Sequence, residues 1–421
     1  MNMQAADPVF ACRARDREEG LPYAVFARKH LQKGRFTQSC AGFRSVTDMA
    51  ASALLSVSSI RQRAALANPV PANSCDDSFL AADIGGTHAR LALMTRVSGQ
   101  APKLAAYRVY RCADHPHLED IVRCFCMELE VQPRELVLAC AGYVHAGSVI
   151  NKNLVWPVLL HTMKQQLALD HVWFLNDLQA LAYAVGHGAA SGAAVLKAPM
   201  ARDAHAGPVV VIGPGTGLGA AVWLPGQASR VIATEAGHTQ LAARIGREQQ
   251  VLAQIAQADC HVSYETVLSG PGLHRIYTAL CAIHDRYPSL HEPSAVTRAA
   301  LAGRDEIARE ALTLFCGWLG SFAADLSMLY GATGGIYLAG GFLFQMIEFL
   351  RSSPLLERFL DKGVMRPFLH NVPIRVMDHG HHGVMGAASW HWNRHIDSDA
   401  RKGDERRPCI DFNDAVFPPD L

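Results

Sequence analysis

The chain has 421 residues, half of them hydrophobic, and carries 39 Lys and Arg against 38 Asp and Glu, a formal net charge of +1. That is enough apolar material for two ordinary domains with their own cores. The even charge balance argues against nucleic acid or an anionic membrane as the main partner and leaves a small molecule.

No apolar run is read here as approaching the ~20 residues that cross a bilayer. The stretch 49–60 is too short, too rich in serine and too far from the first residue for a signal peptide, which argues against secretion. The 11 cysteines are an odd number, and several, such as Cys140 and Cys316, sit in apolar runs where a thiol packs as a small hydrophobe. They are expected to be reduced, in a cytoplasmic protein. Cys124 and Cys126 have C-x-C spacing, but no second Cys or Cys/His pair lies nearby to complete a tetrahedral zinc site.

In chain order, residues 1–77 mix arginines at 13, 15, 17, 28, 35, 44, 61 and 63 with small and polar residues and show no sustained period. They read as a weakly ordered N-terminal extension ending in the proline-containing stretch 68–73, with Met49 as an alternative start. Strand-like runs follow at 79–84, 91–94, 136–140, 172–175, 209–212, 220–224 and 335–339, and helical periodicity is clearest at 178–185 and 307–329. Alternating strands and helices predict an α/β fold. A final helix is expected at 384–392, and the charged residues 397–421 read as a tail.

An approximate internal repeat stands out. Asp83-Ile-Gly85-Gly86-Thr87 follows one apolar strand and precedes another, and Gly213-Pro-Gly215-Thr216-Gly217 does the same. Glycines in such turns, lacking Cβ and tolerating positive φ, let backbone N–H groups form an anion-binding nest, and Thr87 and Thr216 add hydroxyl donors. Two other phosphate motifs are excluded. There is no G-x-x-x-x-G-K-[ST], and G-x-G-x-x-G fails at Leu218.

Six ordered motifs over residues 78–396 make the chain resemble the bacterial glucokinase family. They are Asp83-Ile-Gly-Gly-Thr-His88-Ala-Arg90, Asn176-Asp177, Gly213-Pro-Gly-Thr-Gly-Leu-Gly219, Glu235-Ala-Gly-His238, Glu265-x-x-Leu-Ser-Gly-Pro-Gly272 and Leu338-Ala-Gly340-Gly341. The resemblance implies a two-domain actin-like (ribonuclease-H-like) ATPase fold with a central cleft, and phosphorylation of glucose by ATP with Mg²⁺. It divides the chain into a small α/β domain at 78–187, completed by 378–396, and a large one at 188–377. Asp83, Gly85, Gly86 and Thr87 would form the first phosphate turn, Gly213, Gly215, Thr216 and Gly217 the second, and Gly340 and Gly341 the adenosine-side turn. Asp83 would also hold the metal, through water. A homodimer is one option that the sequence leaves open.

A hexose presents several hydroxyls, each donor and acceptor, so a selective site needs carboxylates, an amide and an imidazole. Asn176, Asp177, Glu235, His238 and Glu265 supply that set, and by resemblance they are the sugar contacts, with Asp177 the catalytic base. Each has a plainer reading: Asn176 or Asp177 as a helix cap, Glu235 and His238 as a surface pair, Glu265 as a solvated helix residue. Other readings are a kinase for a different hexose or an amino sugar, or a sugar sensor without catalysis. His379, His381 and His382 are read as a solvated turn before the last helix. Two departures from the family pattern are His88, where the family often has Asn, and the N-terminal extension. The zinc-binding cysteine cluster of the ROK sugar kinases is missing from the sequence.

Overall fold

Phe79 to Ile84 form a nearly continuous apolar run, the signature of a central strand covered on both faces. In the computed structural model this run is β1 (Ser78–Ile84), buried along most of its length. The structure describes residues 78–401 apart from 98–99, 152–153, 155, 201–206, 227–228, 257–260 and 379, with side chains as far as 394. The expected extension, Met49 and His379 lie outside the described residues.

A tight turn joins β1 to β2 (His88–Val97), and β3 (Gln100–Arg111) lies antiparallel beyond it. Helix α1 (Leu118–Leu129) leads to β4 (Glu135–Cys140). A small sheet of β5 (Tyr143–His145), β6 (Ser148–Ile150) and β7 (Val158–Leu159) and helix α2 (Leu160–Gln166) precede β8 (His171–Asn176). The five main strands run in the order β3-β2-β1-β4-β8, with β1, β4 and β8 parallel.

Helix α3 (Asp177–Gly186) carries the chain to β9 (Ala194–Lys197) and then to β10 (Val209–Pro214), β11 (Leu218–Leu224) and β12 (Arg230–Thr234). A helical stretch follows: α4 (Arg247–Ile255), α5 (Tyr264–Val267), α6 (Gly270–Ile283), α7 (Pro293–Leu301) and α8 (Glu306–Tyr330). After β13 (Gly335–Leu338) come the short helices α9 (Gly341–Gln345), α10 (Ile347–Ser352), α11 (Leu355–Leu360) and α12 (Arg366–Asn371), then β14 (Ile374–Val376) and α13 (His382–Arg401).

The second sheet has the order β12-β11-β10-β13-β14-β9. It repeats the first: an antiparallel three-strand meander, then two strands parallel to the meander's first strand, with β9 added antiparallel at the far edge. The repeat read in two hairpins is thus a repeat of two whole sheets, the duplicated arrangement of the actin-like fold.

Helix α8 packs Phe315, Trp318 and Phe322 into the core beside the second sheet. It is long and apolar enough to cross a bilayer, contrary to the reading of the sequence, where Glu306, Arg309, Glu310 and Asp325 break up the apolar run. With 72% of its most apolar window buried, it is the core helix of this half of the molecule. Two further differences concern edges. Strand β3 was not expected, because it is an edge strand whose residues are mostly exposed or half-exposed. The last helix continues through Arg401, five residues into the expected tail, and the first helix breaker in the sequence is Gly403.

Helix α3 lies between the sheets. Ala180 and Tyr183 join the core beside the first sheet, while Ala182 and Val185 join that beside the second. Helix α13 crosses it so closely that a Cβ on Gly386 would sit 1.7 Å from the Ala180 carbonyl oxygen.

Candidate active site

The first turn is closed by a hydrogen bond from Gly85 N–H to the His88 carbonyl (3.0 Å), and Cys112 braces it by donating its N–H to the Thr87 carbonyl (2.9 Å). Gly86 and Thr87 are exposed at its tip. Strand register sets Asp83 opposite Arg90, and their side chains pair at 3.5 Å. Burial pushes the Asp83 carboxyl above its usual range, and Arg90 opposes that rise.

The second turn is narrower, with Gly215 N–H bonded to the Gly217 carbonyl at 2.7 Å and Thr216 exposed between them. Gly213 and Gly217 are there for space and not for positive φ. A Cβ on Gly213 would lie 2.9 Å from Leu178 Cδ1, and one on Gly217 would lie 2.6 Å from Glu265 Oε2. Gly340 differs: its φ of 141° is a region only glycine enters readily, and a Cβ there would meet the Pro214 carbonyl at 2.9 Å. The 340–341 turn therefore lies directly against the second hairpin.

Asn176 ends β8 and caps α3. Its Oδ1 accepts the Leu178 N–H (3.0 Å), the Gln179 side chain accepts the Asn176 N–H (3.2 Å), and its Nδ2 donates to the Gly142 carbonyl (3.2 Å). The plain reading of Asn176 as a cap is thus correct, and it leaves one amide proton for a ligand. Asp177 is the first residue of the helix, with Oδ1 accepting the Leu178 N–H at 2.9 Å. Burial raises its pKa to about 6; the hydrogen bond from Leu178 works against the rise and the charge of Asp83 adds to it. Two neighbouring carboxylates fit an ion such as Mg²⁺ that keeps much of its own water.

Glu235 precedes and His238 ends a single 3₁₀ turn (Ala236–His238) after β12. They are exposed, with His238 Nε2 3.9 Å from Glu235 Oε2. A Cβ on Gly237 would lie 2.2 Å from the Leu218 carbonyl, which seats this turn on the start of β11. From α5, Glu265 reaches the same residue: its Oε2 accepts the Leu218 N–H at 2.7 Å. It is therefore not a solvated helix residue.

These contacts bring the two turns, the Asn176–Asp177 cap, the Glu235–His238 turn and Glu265 into one region. It lies at the C-terminal ends of β1, β8 and β10, where open α/β sheets bind ligands. At its base, a Cβ on Gly383 would meet the Asp83 carboxyl carbon at 2.5 Å, so the start of α13 closes the region from below.

The expected solvated histidine turn is corrected at His382. His382 is almost buried, with Nε2 2.6 Å from Asp378 Oδ1, and the His381 ring centre lies 4.0 Å from that of Tyr107. His381 itself is exposed, whereas the packing of α13 under Asp83 takes His382 out of solvent. Sequence reasoning assigned no role to Arg90, although the hairpin register set by a Gly-Gly-Thr turn places it opposite Asp83. Tyr107 and His381 are 274 residues apart, and no local signal pairs them.

The sequence profile described as Glucokinase matches residues 80–394. A glucokinase-like protein of Xylella fastidiosa (strain 9a5c) is 42% identical over 321 residues, covering 75% of this chain and 95% of that protein. The glucokinase of Saccharophagus degradans is 35% identical over 320 residues, covering 74% and 97%. Among solved structures, a glucokinase from an Antarctic psychrotroph superposes with a TM-score of 0.66 at 34% identity, covering 74% of this chain and 98% of its own.

Proposed function

The chain belongs to the glucokinase family of sugar kinases, and from that premise we propose that it transfers the γ-phosphate of ATP to the 6-hydroxyl of D-glucose, with Asp177 as the base. The observation that carries the reading is the Asp177 carboxyl. It is fixed at the first turn of α3 beside both glycine turns, and its pKa of about 6 makes it a stronger base than an ordinary carboxylate while leaving it mostly ionised at neutral pH.

On this reading Asn176, Glu235, His238 and Glu265 hold the sugar hydroxyls. The exposed Glu235 and His238 are the side chains most free to move onto a sugar. Residues 78–187 with 378–396 act as one domain and 188–377 as the other, and their closure over the sugar excludes water from the phosphate. Asp177 then takes the 6-hydroxyl proton. The turns formed by Gly85, Gly86 and Thr87 and by Gly213, Gly215, Thr216 and Gly217, through the N–H groups not spent in closing them and the hydroxyls of Thr87 and Thr216, hold the charge spread over the phosphate oxygens. Gly340 and Gly341 leave room for the adenosine. Mg²⁺, held through water by Asp83, would neutralise phosphate charge when bound.

The test is ADP release by the full chain over a panel of glucose, mannose, fructose, glucosamine and N-acetylated hexosamines. A site built to hydrogen-bond one set of hydroxyls can reject an analogue lacking one by ~10⁴ or more. Glucose is expected to give the highest kcat/KM. A higher value for another sugar replaces glucose as the substrate, and sugar binding with no ADP release makes the protein a sensor.

A further inference from the structure

The second glycine turn is gripped at both ends by one short piece of chain. At one end, Gly270 N–H donates to the Gly215 carbonyl at 2.8 Å. At the other, Glu265 Oε2 accepts the Leu218 N–H at 2.7 Å. The piece that carries both contacts is itself braced: Ser269 Oγ donates to the Glu265 carbonyl at 2.9 Å and accepts the Gly272 N–H at 3.0 Å.

Glu265 is needed at Leu218 for a reason visible in the ladder. Gly215 bonds to Gly217 across the turn, so in the alternating antiparallel pattern the Pro214–Leu218 pair is not hydrogen-bonded and the Leu218 N–H points away from β10. On that side lies β12, which ends at Thr234, paired with Ala220, two residues short of Leu218. Leu218 is 5% exposed, and a buried N–H without an acceptor is costly. The Glu265 carboxylate fills that gap with one oxygen, while Oε1 has no hydrogen-bond partner among the described residues. While the carboxylate holds that position Gly217 has no room for a side chain, since a Cβ would lie 2.6 Å from Oε2. The first turn has no such device, being braced by the backbone N–H and the thiol of Cys112.

We infer that Glu265 is the positioning residue of the second phosphate turn. Oε2 fixes the start of β11, so the shape of the Gly215–Gly217 turn depends on Glu265 even when no sugar is bound. Oε1 remains for a sugar hydroxyl, so the same side chain joins the sugar pocket to the phosphate turn. This rests on the functional reading above, in which that turn meets the phosphates.

The experiment measures ADP affinity by calorimetry in the absence of sugar, together with kcat and both KM values, for the full chain and three variants. Glu265→Gln keeps an oxygen that can accept the Leu218 N–H, and ADP affinity is expected to stay within about twofold while the glucose KM rises. Glu265→Ala removes the acceptor, and Glu265→Asp keeps the charge but shortens the reach. Each is expected to weaken ADP about tenfold, the scale of one lost hydrogen bond to a charged group. Normal ADP affinity in the Ala or Asp variant, or equal losses in Gln and Ala, overturns the inference while leaving the functional reading standing if the unaltered chain phosphorylates glucose. A chain that neither binds ADP nor phosphorylates a sugar overturns both.

Discussion

The side chain of Leu178 occupies the space that a β-carbon on Gly219 would need, with Cγ 2.9 Å and Cδ2 3.0 Å from that position. Leu178 follows Asp177 directly, so the fit between α3 and the second hairpin also sets where the carboxyl stands. Gly219→Ala is expected to cost about 1–3 kcal/mol of stability by overpacking. By shifting the first turn of α3 it should lower kcat by up to ~10²-fold with a smaller change in either KM. Adding Leu178→Ala should restore part of the loss. Additive losses in the double variant, by melting temperature and kcat, would separate this contact from catalysis.

Asp177→Asn is expected to lower kcat by ~10²–10⁴ while sugar affinity changes less than about tenfold, because the amide keeps the shape and an acceptor but cannot take a proton. The same variant should be more stable. The folded carboxyl titrates near 6 against an ordinary 3.8, so the native state holds the extra proton between those values, and the stability this gives is lost as pH rises through 6. At neutral pH the ionised group costs up to about 3 kcal/mol. The variant should therefore melt higher than the unaltered protein at pH 8, with the difference closing near pH 4. In the unaltered enzyme kcat should fall below a midpoint near pH 6. An acid limb at an ordinary carboxylate pKa, or equal melting at pH 8, would count against Asp177 as the base.

Thr216 is exposed between two glycines at the tip of the second hairpin. Thr216→Val should raise the KM for ATP about 5- to 10-fold, the worth of one or two hydrogen bonds, with little change in glucose affinity. Unchanged ATP kinetics would take this hydroxyl off the nucleotide.

The family match begins at residue 80, and β1 at Ser78. A chain shortened to begin at Ser74 is expected to stay soluble and to keep kcat and both KM values within about twofold. Loss of solubility or activity would assign a structural role to the residues before it.

What could be read from the sequence was local. The apolar runs at 79–84 and 209–212 became central strands, and the period at 178–185 and 307–329 became helices α3 and α8. The Asn176 cap was visible because a cap is chemistry between neighbours. The purpose of the glycines was not. Gly217 is small because of Glu265, 48 residues on, and Gly237 because of the Leu218 carbonyl. Strand β3 was hidden because an edge strand needs no apolar face, and His382 looked solvated because its partner Asp378 and the crowding under Asp83 exist only in the fold. Sequence patterns report what a residue prefers, whereas these positions are decided by what else occupies the same space.

Helix α3 touches the cores of both halves along alternate faces, and α13 crosses it at Gly386. If the two domains proposed above swing on closure, a rod shared in this way would act as an axle, and points near it would travel least. Asp177 sits at the end of that rod, so on the proposed reading the carboxyl would keep its address while the more distant Glu235 and His238 are carried toward it.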